Sequence, residues 1–182
     1  ETKPEESTIN CFKGDAVVHV EGYLMFNKEL ILSALNNAKA AGALISLDLA
    51  SFTVVEEYRD FIDEIVDDYV DILLANEDEA FAFTGYRDEL QAIDIISKRA
   101  DIAALKLGKR GSYISYKGEI IKVEPMGSGF AVDTTGAGDL WAAGFLFGLV
   151  NGYNLEKCGE LGSACGYEVC QVVGANIPGD GW

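Results

Sequence analysis

The sequence predicts a three-layer α/β protein, a mostly parallel sheet with helices on both faces. Three observations carry this. Short apolar runs rich in β-branched residues alternate with stretches whose apolar residues recur at helical spacing. No internal repeat, low-complexity tract or Pro/Gly linker divides the 182 residues, so 1–182 reads as a single α/β domain. Polar, glycine-containing segments follow several of the apolar runs, at the carboxyl ends of strands where open sheets of this kind bind ligands.

In chain order, Asp15 to Glu21 reads as the first strand and Gly22 ends it. Asn27 caps a helical pattern over Lys28 to Ala41, with Leu30, Ile31, Ala34, Leu35 and Ala38 apolar at helix spacing, and Gly42 stops it. Ala43 to Leu49 is a second strand. An amphipathic helix follows from Val54 or Val55 to about Tyr69, its acidic residues forming a solvated face. Asp71 to Ala75 is the third strand, and Glu77 to Thr84 and Asp88 to Ala100 are helices separated by Gly85. Ile102 to Leu107 is the fourth strand. Ser112 to Tyr116 and Glu119 to Val123 meet at Lys117-Gly118, a hairpin signal. A loop at Pro125 to Phe130, a helix ending at Val150, a helix over Leu155 to Val173 and a turn-rich tail complete the chain.

Composition excludes several classes. A formal net charge of -16 argues against a nucleic-acid or anionic-membrane partner, because either would face a repulsive long-range field. No apolar run approaches a membrane span and no signal-peptide pattern opens the chain. Cys11, Cys158, Cys165 and Cys170 form no Cys-x-x-Cys pair and have no histidine cluster beside them, so they read as reduced thiols of a cytoplasmic protein rather than zinc ligands. His19, the one histidine, sits inside the first strand and reads as structural; Glu21-Gly22-Tyr23 follows that strand, within approach of a substrate at its carboxyl end but without a motif that assigns it there.

The stretch Asp133-Thr134-Thr135-Gly136-Ala137-Gly138-Asp139 leads into a helix. A helix start has backbone N–H groups without intrahelical partners and a partial positive charge, so it favours an anion. The Asp139 carboxylate would repel phosphate. The conflict resolves if Asp139 takes a proton from a substrate hydroxyl while the amides hold the phosphoryl group under attack. Two further segments follow strands and belong on the same predicted rim. Asn76-Glu77-Asp78-Glu79 has the look of an asparagine capping an acidic helix start. Lys106-Leu107-Gly108-Lys109-Arg110-Gly111-Ser112 is a basic glycine turn without the Walker A order.

These residues resemble the ribokinase-like PfkB family of carbohydrate and nucleoside kinases, whose second signature the 133–139 stretch matches; His19 to Tyr23 and Gln171 to Ala175 are similar to its adenosine-kinase-like branch. The resemblance implies a three-layer Rossmann-like fold and ATP-dependent phosphorylation of a primary hydroxyl on a sugar or nucleoside. By it, Asp139 is the base, and the amides of Gly136, Ala137 and Gly138 form the anion hole. It assigns Asn76, Glu79, Lys106, Gly108 and Gly111 to ATP and Mg²⁺, with Glu79 acting on the metal indirectly. Ser163 and Gly174 fall where family members wrap the adenine, and Asp133 and Thr135 where several hold a monovalent cation such as K⁺. A full-length member carries a preceding region with a Gly-Gly signature, most sugar contacts and a lid that governs dimer formation, and nothing in Glu1 to Cys11 resembles it. The expectation is therefore a C-terminal portion, poorly active alone. The alternative from another class is a nucleotide-binding or interaction module without turnover. A dinucleotide-dependent oxidoreductase is disfavoured, since no Gly-x-Gly-x-x-Gly follows the first strand.

Overall fold

Six strands hydrogen-bond in chain order, β1 (Val17–Glu21), β2 (Leu44–Asp48), β3 (Ile72–Asn76), β4 (Ile102–Lys106), β5 (Ser112–Tyr116) and β6 (Glu119–Val123). This is the arrangement in a computed structural model that describes residues 2–14, 17–127 and 130–177. Asp15 and Ala16 of the expected first strand, part of the 125–130 loop and the tail beyond Ile177 lie outside the described residues. β1 pairs with β2 in parallel from Val17↔Leu44 to Glu21↔Asp48, and β2 pairs in parallel with β3 from Ser46↔Ile72 to Asp48↔Leu74. Consecutive residues of β2, β3 and β4 are buried, as in a parallel strand covered on both faces.

By its contacts the chain divides into two compact units. The first is Glu1–Leu105 with Ser115–Glu119, and the second is Lys106–Ile114 with Ile120–Trp182. In the first, α1 (Lys28–Ala41) connects β1 to β2, and α2 (Phe52–Glu57) and α3 (Arg59–Asp68) connect β2 to β3. The connection to β4 is made by α4 (Glu77–Thr84) and α5 (Glu89–Ile96). Its core is the inward face of these helices, Ile31, Leu35, Val55, Ile62, Ile65 and Ile93, closed on the β2 and β3 side chains. In the second unit α6 (Ala137–Val150) lies against α7 (Leu155–Val169). A Cβ on Gly144 would stand 2.5 Å from the Leu161 carbonyl, so glycine sets how close the two helices come. Trp141 stacks on the buried Phe145 at 5.2 Å.

Three of the expected helices have boundaries that differ from expectation. The helix expected from Val54 starts at Phe52, because the Ser51 hydroxyl accepts from the Thr53 amide and caps it there. It then breaks at Tyr58, and α3 begins anew with Arg59, which donates to the Ala82 carbonyl and to Asp63. α5 ends at Ile96 rather than Ala100, since Lys98 and Arg99 tighten to three-residue bonds on Ile95 and Ile96. α7 ends at Val169 rather than Val173, and the Cys170 carbonyl is taken by the amides of Val132 and Asp133. The Lys117-Gly118 turn is as expected for a tight hairpin, with φ of 52° and 83°.

Candidate active site

Gly136 stands at φ 77°, in the left-handed region, and from there the chain enters α6, placing Ala137, Gly138 and Asp139 in its first turn. Their amides precede the first four-residue bond of the helix, which runs from Leu140 to the Gly136 carbonyl. One of them is engaged within the loop, as the Ala137 N–H donates to the Thr134 carbonyl at 3.1 Å. Asp139 is exposed at the third helical position, beside that opening.

Asp133 holds the loop in shape. One carboxylate oxygen accepts from the Thr135 amide (3.0 Å) and hydroxyl (2.8 Å), and the other accepts from the Gly174 amide (2.9 Å). These bonds, the Gly174 amide foremost, bring its carboxyl down to about 2. Gly174 therefore meets the loop through Asp133, while Ser163 is buried within α7.

Lys106 ends β4 and is nearly buried. Its Nζ lies 3.4 Å from where a Cβ on Gly138 would stand, so the ammonium rests against the first turn of α6. The turn that follows is a short 3₁₀ segment, Gly108–Arg110, closed by a bond from the Leu107 amide to the Gly111 carbonyl. Gly111 has φ 85° and ψ -140°, and a Cβ there would stand 2.0 Å from the Val123 carbonyl. Next to it the Ser112 hydroxyl is buried without a hydrogen-bond partner.

A family model described as pfkB family carbohydrate kinase matches residues 3–180. The chain belongs to the PfkB family. It is 40% identical over 88 residues to a nucleoside kinase of Methanocaldococcus jannaschii, a stretch that is 47% of this chain and 29% of that protein. The adenosine kinase of Sinorhizobium meliloti superposes with a TM-score of 0.91 at 33% identity, over 97% of this chain and 55% of that one. A putative ribokinase II from E. coli, solved with ATP and Mg²⁺, has the same fold, with a TM-score of 0.84 at 22% identity over 95% of this chain and 58% of that one. The chain thus spans about half the length of these structures.

In the other unit, at the carboxyl end of β3, Asn76 and Glu79 form a reciprocal cap on α4. The Asn76 side-chain oxygen accepts from the Glu79 amide at 3.0 Å, and Glu79 accepts from the Asn76 amide (2.7 Å) and side-chain nitrogen (2.6 Å). The helix cap expected of this segment is present, and the Glu79 carboxylate is turned back onto Asn76. Among the described residues no group of three or more His, Cys, Asp or Glu could hold a metal ion.

His19 bridges the buried Ser46 hydroxyl (3.1 Å) and Glu21 (3.2 Å), the structural role its strand position suggested. Asp48, in register with Glu21, escaped the sequence reading. Its carboxylate is buried and accepts from the amide of Ala50, whose φ is 63°. An acidic residue near the end of an otherwise apolar strand is the unused signal for it. Among the described residues no helix is long and apolar enough to cross a membrane.

Proposed function

We propose that this PfkB chain carries the phosphoryl-transfer half of an ATP-dependent kinase acting on a primary hydroxyl of a sugar or nucleoside. The observation that carries the reading is the meeting of an acid, a cation and a helix start. Asp139 stands in the first turn of α6, and the Lys106 ammonium rests against Gly138 beside it. In this reading Asp139 takes the hydroxyl proton, the acceptor oxygen bonds to the γ-phosphorus, and the bond to the β-phosphate oxygen breaks to leave ADP. The Gly136 and Gly138 amides take the charge that develops on the transferred group, and the Ala137 amide joins them by leaving the Thr134 carbonyl. Lys106, Gly108 and Gly111 serve the nucleotide phosphates. Mg²⁺ would supply positive charge at the nucleotide phosphates, and Glu79 would be the residue that orders its waters.

Similarity to a nucleoside kinase and an adenosine kinase makes nucleosides the first acceptors to try. Four free cysteines agree with a reducing, cytoplasmic setting. The second reading, a nucleotide-binding module without turnover, draws on the Ala137–Thr134 bond, which leaves the three-amide hole one donor short as folded. ADP release from MgATP, measured with adenosine, cytidine, ribose and fructose in turn, separates them. Acceptor-dependent ADP that Asp139→Asn abolishes supports the kinase. MgATP binding with no acceptor-dependent ADP supports the module.

A further inference from the structure

The loop that precedes α6 is fastened to the segment after α7 at several points. The Cys170 carbonyl accepts from the amides of Val132 (2.7 Å) and Asp133 (3.4 Å), and the Gln171 side chain donates to the Phe130 carbonyl (3.1 Å). A Cβ on Gly136 would stand 2.6 Å from that of Ala175, so the turn sits directly on this segment. Among these links the Asp133 carboxylate is the one that reaches both parts. One oxygen fixes the Thr135 turn that presents the Gly136–Gly138 amides, and the other fixes Gly174.

We propose that Asp133 is a positioning residue, a clamp that keeps the Gly136–Gly138 amides preorganised for a phosphoryl group only while the 170–175 segment is docked. The proposal rests on the phosphate-binding reading of that loop. Its chemistry follows from the donors. Three N–H or O–H groups converge on the two oxygens, an acceptor-only pattern that a carboxylate satisfies. An asparagine offers one acceptor and one donor, so it must abandon either Thr135 or Gly174. Asp133 is itself an anion, so phosphate binding lost on its removal is lost through the loop it shapes and not through a direct contact.

The test uses the ¹⁵N-labelled 182-residue chain and inorganic tripolyphosphate, a phosphate probe with no base or sugar. Affinity is read by calorimetry, amide positions by NMR, and each titration is run in potassium chloride and in tetramethylammonium chloride. The clamp predicts that tripolyphosphate moves the Gly136, Gly138 and Gly174 amides together in the wild type. It predicts that Asp133→Asn loses roughly tenfold or more in affinity in both salts, the size of one charge-assisted hydrogen bond, and uncouples Gly174. Thr135→Val, which removes one donor, loses less. Wild-type affinity in Asp133→Asn overturns the clamp, and so does a loss confined to potassium, which would make Asp133 a cation ligand. If Asp133→Asn does not fold, unchanged affinity in Thr135→Val overturns it. A wild-type chain that binds no tripolyphosphate sinks the phosphate-site reading, and the clamp with it.

Discussion

The Lys106 ammonium lies 3.4 Å from the place a Cβ would occupy on Gly138. The two residues come from the end of β4 and the start of α6, thirty-odd positions apart. Adding a methyl at 138 is sterically mild, since only a flexible side-chain tip is near. Gly138→Ala should therefore keep the wild-type melting temperature to within a few degrees while weakening MgATP binding by moving Lys106. Lys106→Met should weaken ATP more than ADP if the ammonium serves the terminal phosphate. Calorimetric titration of both nucleotides decides this, and an equal loss for the two would place Lys106 elsewhere on the nucleotide.

Gly136 and Gly111 are different, because both have left-handed φ and both face a close neighbour. Gly136→Ala should cost about 1–2 kcal/mol for the backbone alone, and more from the 2.6 Å approach to Ala175. Gly111→Ala should be worse, since its ψ of -140° approaches a region that is essentially glycine's and the obstacle is the Val123 carbonyl. Urea unfolding should rank wild type above Gly136→Ala and Gly136→Ala above Gly111→Ala. The reverse order would mean that the turn after β4 is not built as described.

Acid stability should depend on Asp63. Burial alone would raise its carboxyl, but hydrogen bonds from Arg59 (2.7 Å) and Arg99 (3.0 Å) outweigh burial and hold it below the ordinary carboxylate value. A carboxylate with a depressed folded pKa contributes its full stability above the unfolded value of about 3.9, and loses it as pH falls through the folded pKa. Asp63→Asn should lower stability at neutral pH and flatten the fall in the urea midpoint between about pH 5 and pH 2. Parallel curves for the two proteins would show that the Arg59–Asp63–Arg99 group adds no pH-linked stability.

Much of this was legible because local chemistry agreed with the fold. α1 was readable from its Asn27 cap and from Gly42, which takes the left-handed stop at φ 82°. α4 was bounded in the same way by Asn76 and Gly85, and the β5–β6 turn by Lys117-Gly118. What escaped was set by partners far along the chain. α7 stops where the Cys170 carbonyl turns to Val132 and Asp133, a bond no window of sequence contains. The break at Tyr58 has no glycine or proline to announce it, and the Ala137–Thr134 bond depends on how the whole loop is seated. The residues of the candidate site were thus nameable from their motifs, but the linkage of Asp133 to Gly174 was not.

The Asn76–Glu79 pair allows structural and chemical roles to be separated. Asn76→Ala removes the acceptor for the Glu79 amide and should cost about 1 kcal/mol, the usual size of a lost N-cap. Asn76→Ser keeps a capping oxygen, so its stability should stay within a few tenths of a kcal/mol. It nevertheless loses the 2.6 Å bond to one Glu79 oxygen, leaving only the 2.7 Å bond from the residue-76 amide to hold the carboxylate. If Glu79 orders the waters of Mg²⁺, Asn76→Ser should raise the magnesium concentration needed for half-maximal ATP binding while leaving unfolding unchanged. If Asn76 and Glu79 serve only to start α4, the magnesium titration of Asn76→Ser should overlay that of the wild type, and only Asn76→Ala should differ, through stability alone.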